Sequence, residues 1–212
     1  MNNHIKAIII FIFVSNSLLA QSIFENTDTI NFPYDKWTSK IINQANTAKD
    51  ISYLTKEEKD IIWLTNLCRL QPRLFAKTFA AEYIKKIHSE KNKYSKSLLR
   101  ELKKQKKLAA FKPSKKLYKT AKSHAIWSGK RGKTGHKNFN KRRIQSGFGY
   151  FAENCSYGYS SAIEIFMDLL IDRDIPNVGH RKNFLSKDTK FIGVSIQAHR
   201  DYEWNCVIDF GG

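Results

Sequence analysis

Cysteine is scarce in this sequence, and the three present, Cys68, Cys155 and Cys206, cannot all pair. An odd, low count excludes a densely stapled disulfide scaffold and allows one intrachain bridge with a thiol left over. Long apolar runs are missing as well. The stretch Ala7–Val14 falls far short of the roughly 20 residues that span a bilayer as a helix. No Cys-x-x-Cys or His-x-x-x-His spacing is present, so compact metal motifs lack sequence support, and no Gly-x-Ser-x-Gly elbow marks a serine nucleophile. No internal repeat is evident. Acidic residues are outnumbered, 19 against 37 Lys and Arg, which gives a formal charge of +18 in 212 residues and favours anionic partners or surfaces.

The start of the chain is patterned as an export signal. Lys6 precedes the apolar segment, and Ser15-Asn-Ser-Leu-Leu-Ala20 leads to a small residue before Gln21, so residues 1–20 are expected to be removed after Ala20. The competing reading is an uncleaved N-terminal anchor. No lipobox cysteine follows, which argues against a lipoprotein. Residues 21–55 form a polar lead-in without a sustained period, and residues 56–212 are long enough for one domain with its own core. Export would place the protein in the periplasm, on the cell envelope or outside the cell. An oxidising compartment would permit Cys155 to pair with Cys206, since both lie in strand-like segments, whereas Cys68 falls on an apolar helical stripe. The alternative is three small buried thiols.

The positive charge is concentrated. Between Lys85 and Lys133 stand eighteen Lys and Arg against Glu90 and Glu101. On an exported protein such a stretch suits anionic lipid, phosphate-rich envelope polymer or a host polyanion, and the plain alternative is a solvated face. Specific nucleic-acid recognition is disfavoured by export and by the lack of aromatic stacking residues among these lysines.

Thr55-Lys-Glu-Glu58 has the form of a capping box and opens a helix with Ile61, Leu64 and Cys68 on one stripe, and Pro72 begins a second helical run. Leu98, Leu99, Leu102 and Leu108 give the lysine-rich stretch a narrow apolar edge, as in an amphipathic helix that lies on a core or on a membrane surface. Ser114 to Trp127 reads as a helix ended by Gly129 and the glycines after it, and Ser161-Ala-Ile-Glu164 as another capping box. Residues 150–157, 191–196 and 204–210 read as strands, the last two as an antiparallel hairpin. Together these elements give an α+β class, a small antiparallel sheet covered by helices.

Four segments, in order, resemble the CAP superfamily of cysteine-rich secretory proteins, antigen five and pathogenesis-related proteins, in its bacterial form. They are Trp63–Pro72; Ser123–Trp127 with Gly135-His136; Ala152-Glu-Asn-Cys-Ser-Tyr-Gly158; and Gly179-His-Arg-Lys-Asn-Phe-Leu185 with Phe191-Ile-Gly-Val194. The resemblance spans about residues 56–210. It implies an α-β-α sandwich with a cleft lined by two histidines and two acids, at His136, Glu153, His180 and, nearest the second acid, Asp172, with Asp168 and Asp174 as competitors. Two readings of such a cleft stand open: a divalent metal such as zinc held through His136 and His180, or Glu153 hydrogen-bonded to one of the histidines in a chemically idle cleft; sterol or other lipid binding is associated with the family. Two functions follow: an exported, non-catalytic binding or envelope-associated module, or a metal-assisted, peptidase-like hydrolase with Glu153 as base. Ser156, Cys155 and Ser160 lie near Glu153 but lack a nucleophile motif. His124, on an apolar helical stripe, reads as a satisfied core histidine, and Asn183 as a tie for the Gly179-His180 loop.

Overall fold

A computed structural model of the protein describes residues 31–87 and 92–212. The expected signal at residues 1–20, positions 21–30 of the lead-in, and Glu90 and Lys91 lie outside the described residues. Phe32–Gly212 forms one compact unit.

The unit begins in what the composition suggests is a loose lead-in. A 3-10 turn, Tyr34–Lys36, precedes helix α1 (Ser39–Ala45), and Phe32, Trp37, Ala45, Ala48 and Leu54 are buried. The Phe32 ring lies 4.8 Å from that of Trp63 and 5.7 Å from that of Phe79, so the segment is part of the core. Helix α2 (Lys56–Leu70) starts as its sequence dictates. Thr55 Oγ1 accepts from Glu58 N at 3.3 Å, and Glu58 Oε2 accepts from Thr55 N at 2.9 Å, which satisfies two amides that a helix start leaves open. Pro72 occupies the first turn of α3 (Pro72–Phe75), where its missing N–H costs nothing. A π-helical stretch, Ala76–Ala80, carries the chain into α4 (Ala81–Ile87).

The lysine-rich stretch forms α5 (Lys93–Lys104), with Leu98 and Leu102 fully buried, while Leu108 lies beyond the helix in a segment without regular secondary structure. Strand β1 (Lys112–Pro113) leads to α6 (Lys115–Arg131). Gly129 does not end α6, which runs on to a left-handed cap at Gly132 (φ 60°). Its role is close packing: a Cβ on Gly129 would stand 2.0 Å from the Ala198 carbonyl oxygen, so only glycine lets the helix approach the sheet there. Then come α7 (Phe139–Ser146), β2 (Phe151–Tyr157), α8 (Ala162–Ile171), α9 (Gly179–Phe184), β3 (Phe191–His199) and β4 (Glu203–Gly211). The second capping-box pattern is not used as one. Ser161 makes no side-chain cap, and the Ala162 amide instead donates to Glu57 Oε2 at 2.8 Å, from α2.

The sheet order is β1-β3-β4-β2. The expected hairpin is present, and β2 pairs antiparallel along the other side of β4, but β1 adds a short parallel edge against β3. Alternation assigns the faces. Cys155 and its partner Val207 pack on Ala121 and Ala125 of α6. Phe210 points the opposite way, into a chain of contacts with Phe184, Phe166 and Phe75. Each such buried ring contributes about 1.5–3 kcal/mol by leaving water. Helices thus cover both faces, an α-β-α sandwich. Among the described residues no helix is long and apolar enough to cross a membrane.

The expected Cys155–Cys206 bridge is corrected by this register. Ser156, not Cys155, stands opposite Cys206, so the two thiols project from opposite faces of the sheet. All three cysteines are buried and free, and burial raises each thiol above its ordinary value.

Candidate functional site

Glu153 lies on β2 on the face that meets α6, with its carboxylate fully enclosed. Two segments converge on it. The turn before α7 brings His136 Nδ1 to 2.7 Å from Oε1. From α7, Arg142 donates Nε to Oε2 at 2.8 Å and Nη2 to Oε1 at 2.7 Å, a two-point grip. Arg142 Nη1 also donates to the Lys137 carbonyl, which ties the helix back to its own turn. Burial pushes the Glu153 carboxyl up. The His136 hydrogen bond and the Arg142 charge outweigh it, and Glu153 is held below its ordinary 4.5.

Gly135 sets the position of His136. Its amide donates to the Tyr157 hydroxyl at 2.8 Å, and its carbonyl lies 2.8 Å from Nε2 of His124. His124 is buried, as its helical stripe leads one to expect, and desolvation lowers its affinity for a second proton. It also lies 3.9 Å from Glu153 Oε1, which its spacing did not reveal. Opposite Glu153 in the sheet is Asp209, also buried. The Thr120 hydroxyl, with one proton, lies 2.9 Å from the Leu117 carbonyl and 2.6 Å from Asp209 Oδ2, while Oδ1 has no hydrogen-bond partner. Burial first, and the negative Glu153 next, raise the Asp209 carboxyl well above its ordinary 3.8.

The second histidine is held from the other side of β2. Asp172 ends α8 in a left-handed conformation (φ 59°) and turns its carboxylate onto the start of α9. Oδ2 accepts from His180 N at 2.9 Å, and Oδ1 lies 2.8 Å from His180 Nδ1. The side chain of Asn154, one residue past Glu153 and so on the opposite face, donates to the His180 carbonyl at 3.0 Å. Asn183 Nδ2 donates to Asn154 Oδ1 at 2.7 Å, so Asn183 does tie the loop to the strand. His180, Asp172, Asp168, Ser156 and Tyr157 line a cleft of about 230 Å³.

The four expected residues therefore resolve into two pairs, His136 with Glu153 and His180 with Asp172. Among the described residues, a group of three metal-ligating side chains whose donor atoms all lie within 4.8 Å of one another is His124, Glu153 and Cys155. That trio is poorly suited to a cation. Both Glu153 oxygens face Arg142, His124 Nε2 points at a carbonyl, and burial keeps the Cys155 thiol protonated. His136 and His180 suit one better. Each directs Nδ1 at a carboxylate, so that in the neutral ring Nε2 is the lone-pair nitrogen, the arrangement in which histidine ligates metal. Ser156 has a buried hydroxyl without a partner, hence no base to activate it. Sequence reasoning missed Arg142, Thr120 and Asp209. Arg142 sits in a run of exposed cations, and only the Gly147 stop signal hinted at a helix that could turn it inward.

Comparison with solved structures finds an outer surface protein of Borrelia burgdorferi at 23% identity, covering 49% of this chain and 78% of that one, with a TM-score of 0.41. An extracellular protein containing an SCP domain from Bacillus anthracis is similar at 16% identity over 61% of this chain and 43% of its own length, TM-score 0.40. A cysteine-rich secretory protein of Staphylococcus aureus is similar at 16% identity over 56% and 36% of the two chains, TM-score 0.39. The chain thus spans less than half the length of the latter two. A search of curated proteins gives no match. The family model described as CAP, the cysteine-rich secretory protein family, matches residues 65–210, which take in β1 to β3, all but the last residue of β4 and both histidine–carboxylate pairs, and the chain belongs to that family.

Proposed function

We propose that the chain is an exported, non-catalytic binding module of the cell envelope or its surroundings, which takes a small ligand or divalent ion at its two histidines and anionic polymer or lipid on its basic surface. The two-point contact of Arg142 with Glu153 carries the first part. A general base must take up a proton near neutral pH, and a carboxylate neutralised by a guanidinium and held below 4.5 does so poorly. The metal-assisted hydrolase is for this reason the weaker alternative. A divalent ion, zinc among the candidates, would be held through Nε2 of His136 and His180, with Glu153 and Asp172 orienting the rings, and would supply a Lewis-acid point for an anionic or carbonyl group of a ligand. The excess of 37 Lys and Arg over 19 acids supports the second part.

Titration calorimetry with zinc at pH 7.5 tests the site. The expected result is one ion per chain, weakened at least roughly tenfold by His136→Ala and by His180→Ala. Zinc binding that survives both substitutions contradicts the assignment, and peptide hydrolysis abolished by Glu153→Gln would favour the hydrolase.

A further inference from the structure

We propose that the segment Lys103–Lys107 and the two hollows beside it form a preformed groove for a linear polymer of phosphate groups. The proposal rests on the anion-binding reading above and gives it a place and a partner. After α5 ends at Lys104 the chain continues without regular secondary structure, and Lys103, Lys104, Lys106 and Lys107 are all exposed. On one side a hollow of about 470 Å³ is lined by Lys104, Lys106, Leu108, Leu185 and Lys187 together with Glu101 and Gln105. On the other a hollow of about 300 Å³ is lined by Arg73, Lys104, Lys106 and Lys107 with Gln71, Pro72 and Gln105. Glu101, the single acid in either lining, is already engaged by the buried guanidinium of Arg181 at 3.1 Å. Asp188 follows Lys187 in the chain but lines neither hollow.

One buried side chain ties the walls of the groove together. Arg69 donates Nε to the Ala109 carbonyl at 2.8 Å and Nη1 to the carbonyls of Phe184 and Ser186 at 2.7 and 2.8 Å. Its own carbonyl accepts from Leu108 N at 2.8 Å, and its guanidinium lies 3.7 Å over the Phe111 ring. Across the ridge, Arg73 Nε donates to the Lys103 carbonyl at 2.7 Å. Binding there costs little ordering of backbone, which is the advantage of a preorganised surface.

A polymer fits better than a membrane. Of the apolar edge that would insert into lipid, Leu98 and Leu102 have no exposed surface and Leu99 and Leu108 are half-buried. The large apolar side chains that are exposed, such as Tyr34, Ile144, Tyr150 and Trp204, line neither hollow. What remains is a ridge of cations flanked by concavities, a shape for a chain of anions.

Inorganic polyphosphate of defined length, titrated against the full chain over a salt series, is the test. The variant Lys103→Gln, Lys104→Gln, Lys106→Gln, Lys107→Gln alters only exposed side chains, and a control of equal charge carries Lys119→Gln, Lys130→Gln, Lys141→Gln and Arg143→Gln, also exposed and outside both hollows. Each contact to a single-stranded polyanion adds roughly 0.7 to the slope of log affinity against log salt. The groove variant is expected to lose roughly 2–3 units of slope, and the control less than one. Equal losses in the two variants overturn the groove but leave general anion binding standing, whereas no binding by the native chain removes both. Loss of binding to phosphatidylglycerol vesicles in the groove variant, with polyphosphate binding intact, would assign the surface to a membrane and overturn the proposal.

Discussion

Glu153 and Arg142 show at the scale of single residues why the identity of a site residue does not fix its chemistry. Glu153 occupies the position at which family resemblance puts a cleft acid, yet its carboxylate is wholly enclosed and shares both oxygens with a guanidinium only 6% exposed. Removing one partner of such a pair strands a buried charge, so Arg142→Met should destabilise the protein by about 3–5 kcal/mol near pH 7, read from urea unfolding. The pH dependence has a definite sign. Glu153 titrates below 4.5 when folded, so its contribution is complete above its unfolded value and is lost as pH falls through the lowered one. The gap between native protein and Arg142→Met is therefore expected to narrow below about pH 4.5, and a gap independent of pH would mean that Arg142 acts by packing alone.

Secondary-structure elements divide into those whose cause is local and those whose cause is a distant neighbour. Thr55 and Ser161 each open a Ser/Thr-x-x-Glu pattern, but only Thr55 makes a side-chain cap, and at the second helix start the Ala162 amide is held by a carboxylate from α2. Thr55→Ala should cost about 1 kcal/mol in urea unfolding and Ser161→Ala no more than about 0.5 kcal/mol. Equal costs would show that the two helix starts are held alike. The same distinction explains what could be read in the sequence. The helices from Thr55 and Ser114, the strand at residues 150–157 and the closing hairpin follow from caps, periods of 3.6 or 2 and turn residues close in sequence. Strand β1 is two residues long and carries no period. Helix α7 is hidden in a run of cations whose inward member, Arg142, has its partner eleven residues away. Asp209 is unreadable for a similar reason: a strand aspartate ordinarily faces water, and only the register with Glu153 and the contact with Thr120 place it inside. The cysteines add a further case, since strand neighbours are necessary for a bridge but a one-residue offset sends their side chains to opposite faces.

Over the whole molecule, the sandwich separates two chemically distinct regions. The sheet's outer strand β2 organises the paired histidines and carboxylates, one pair held by α7 and the other by the turn from α8 to α9. Positive charge is displayed elsewhere, on α5 and the ridge that follows it, with Leu98 and Leu102 of that helix buried in the core. The proposed binding function, as against proton transfer, depends most on the protonation of two facing acids. A carbon-13 NMR titration of the side-chain carboxyls in the native protein measures it directly. Glu153 is predicted to titrate below 4.5 and Asp209 well above 3.8, so that Glu153 stays an anion bound to Arg142 across the neutral range. A Glu153 midpoint near neutrality, where a general acid or base operates, would contradict the binding assignment and restore the case for hydrolysis.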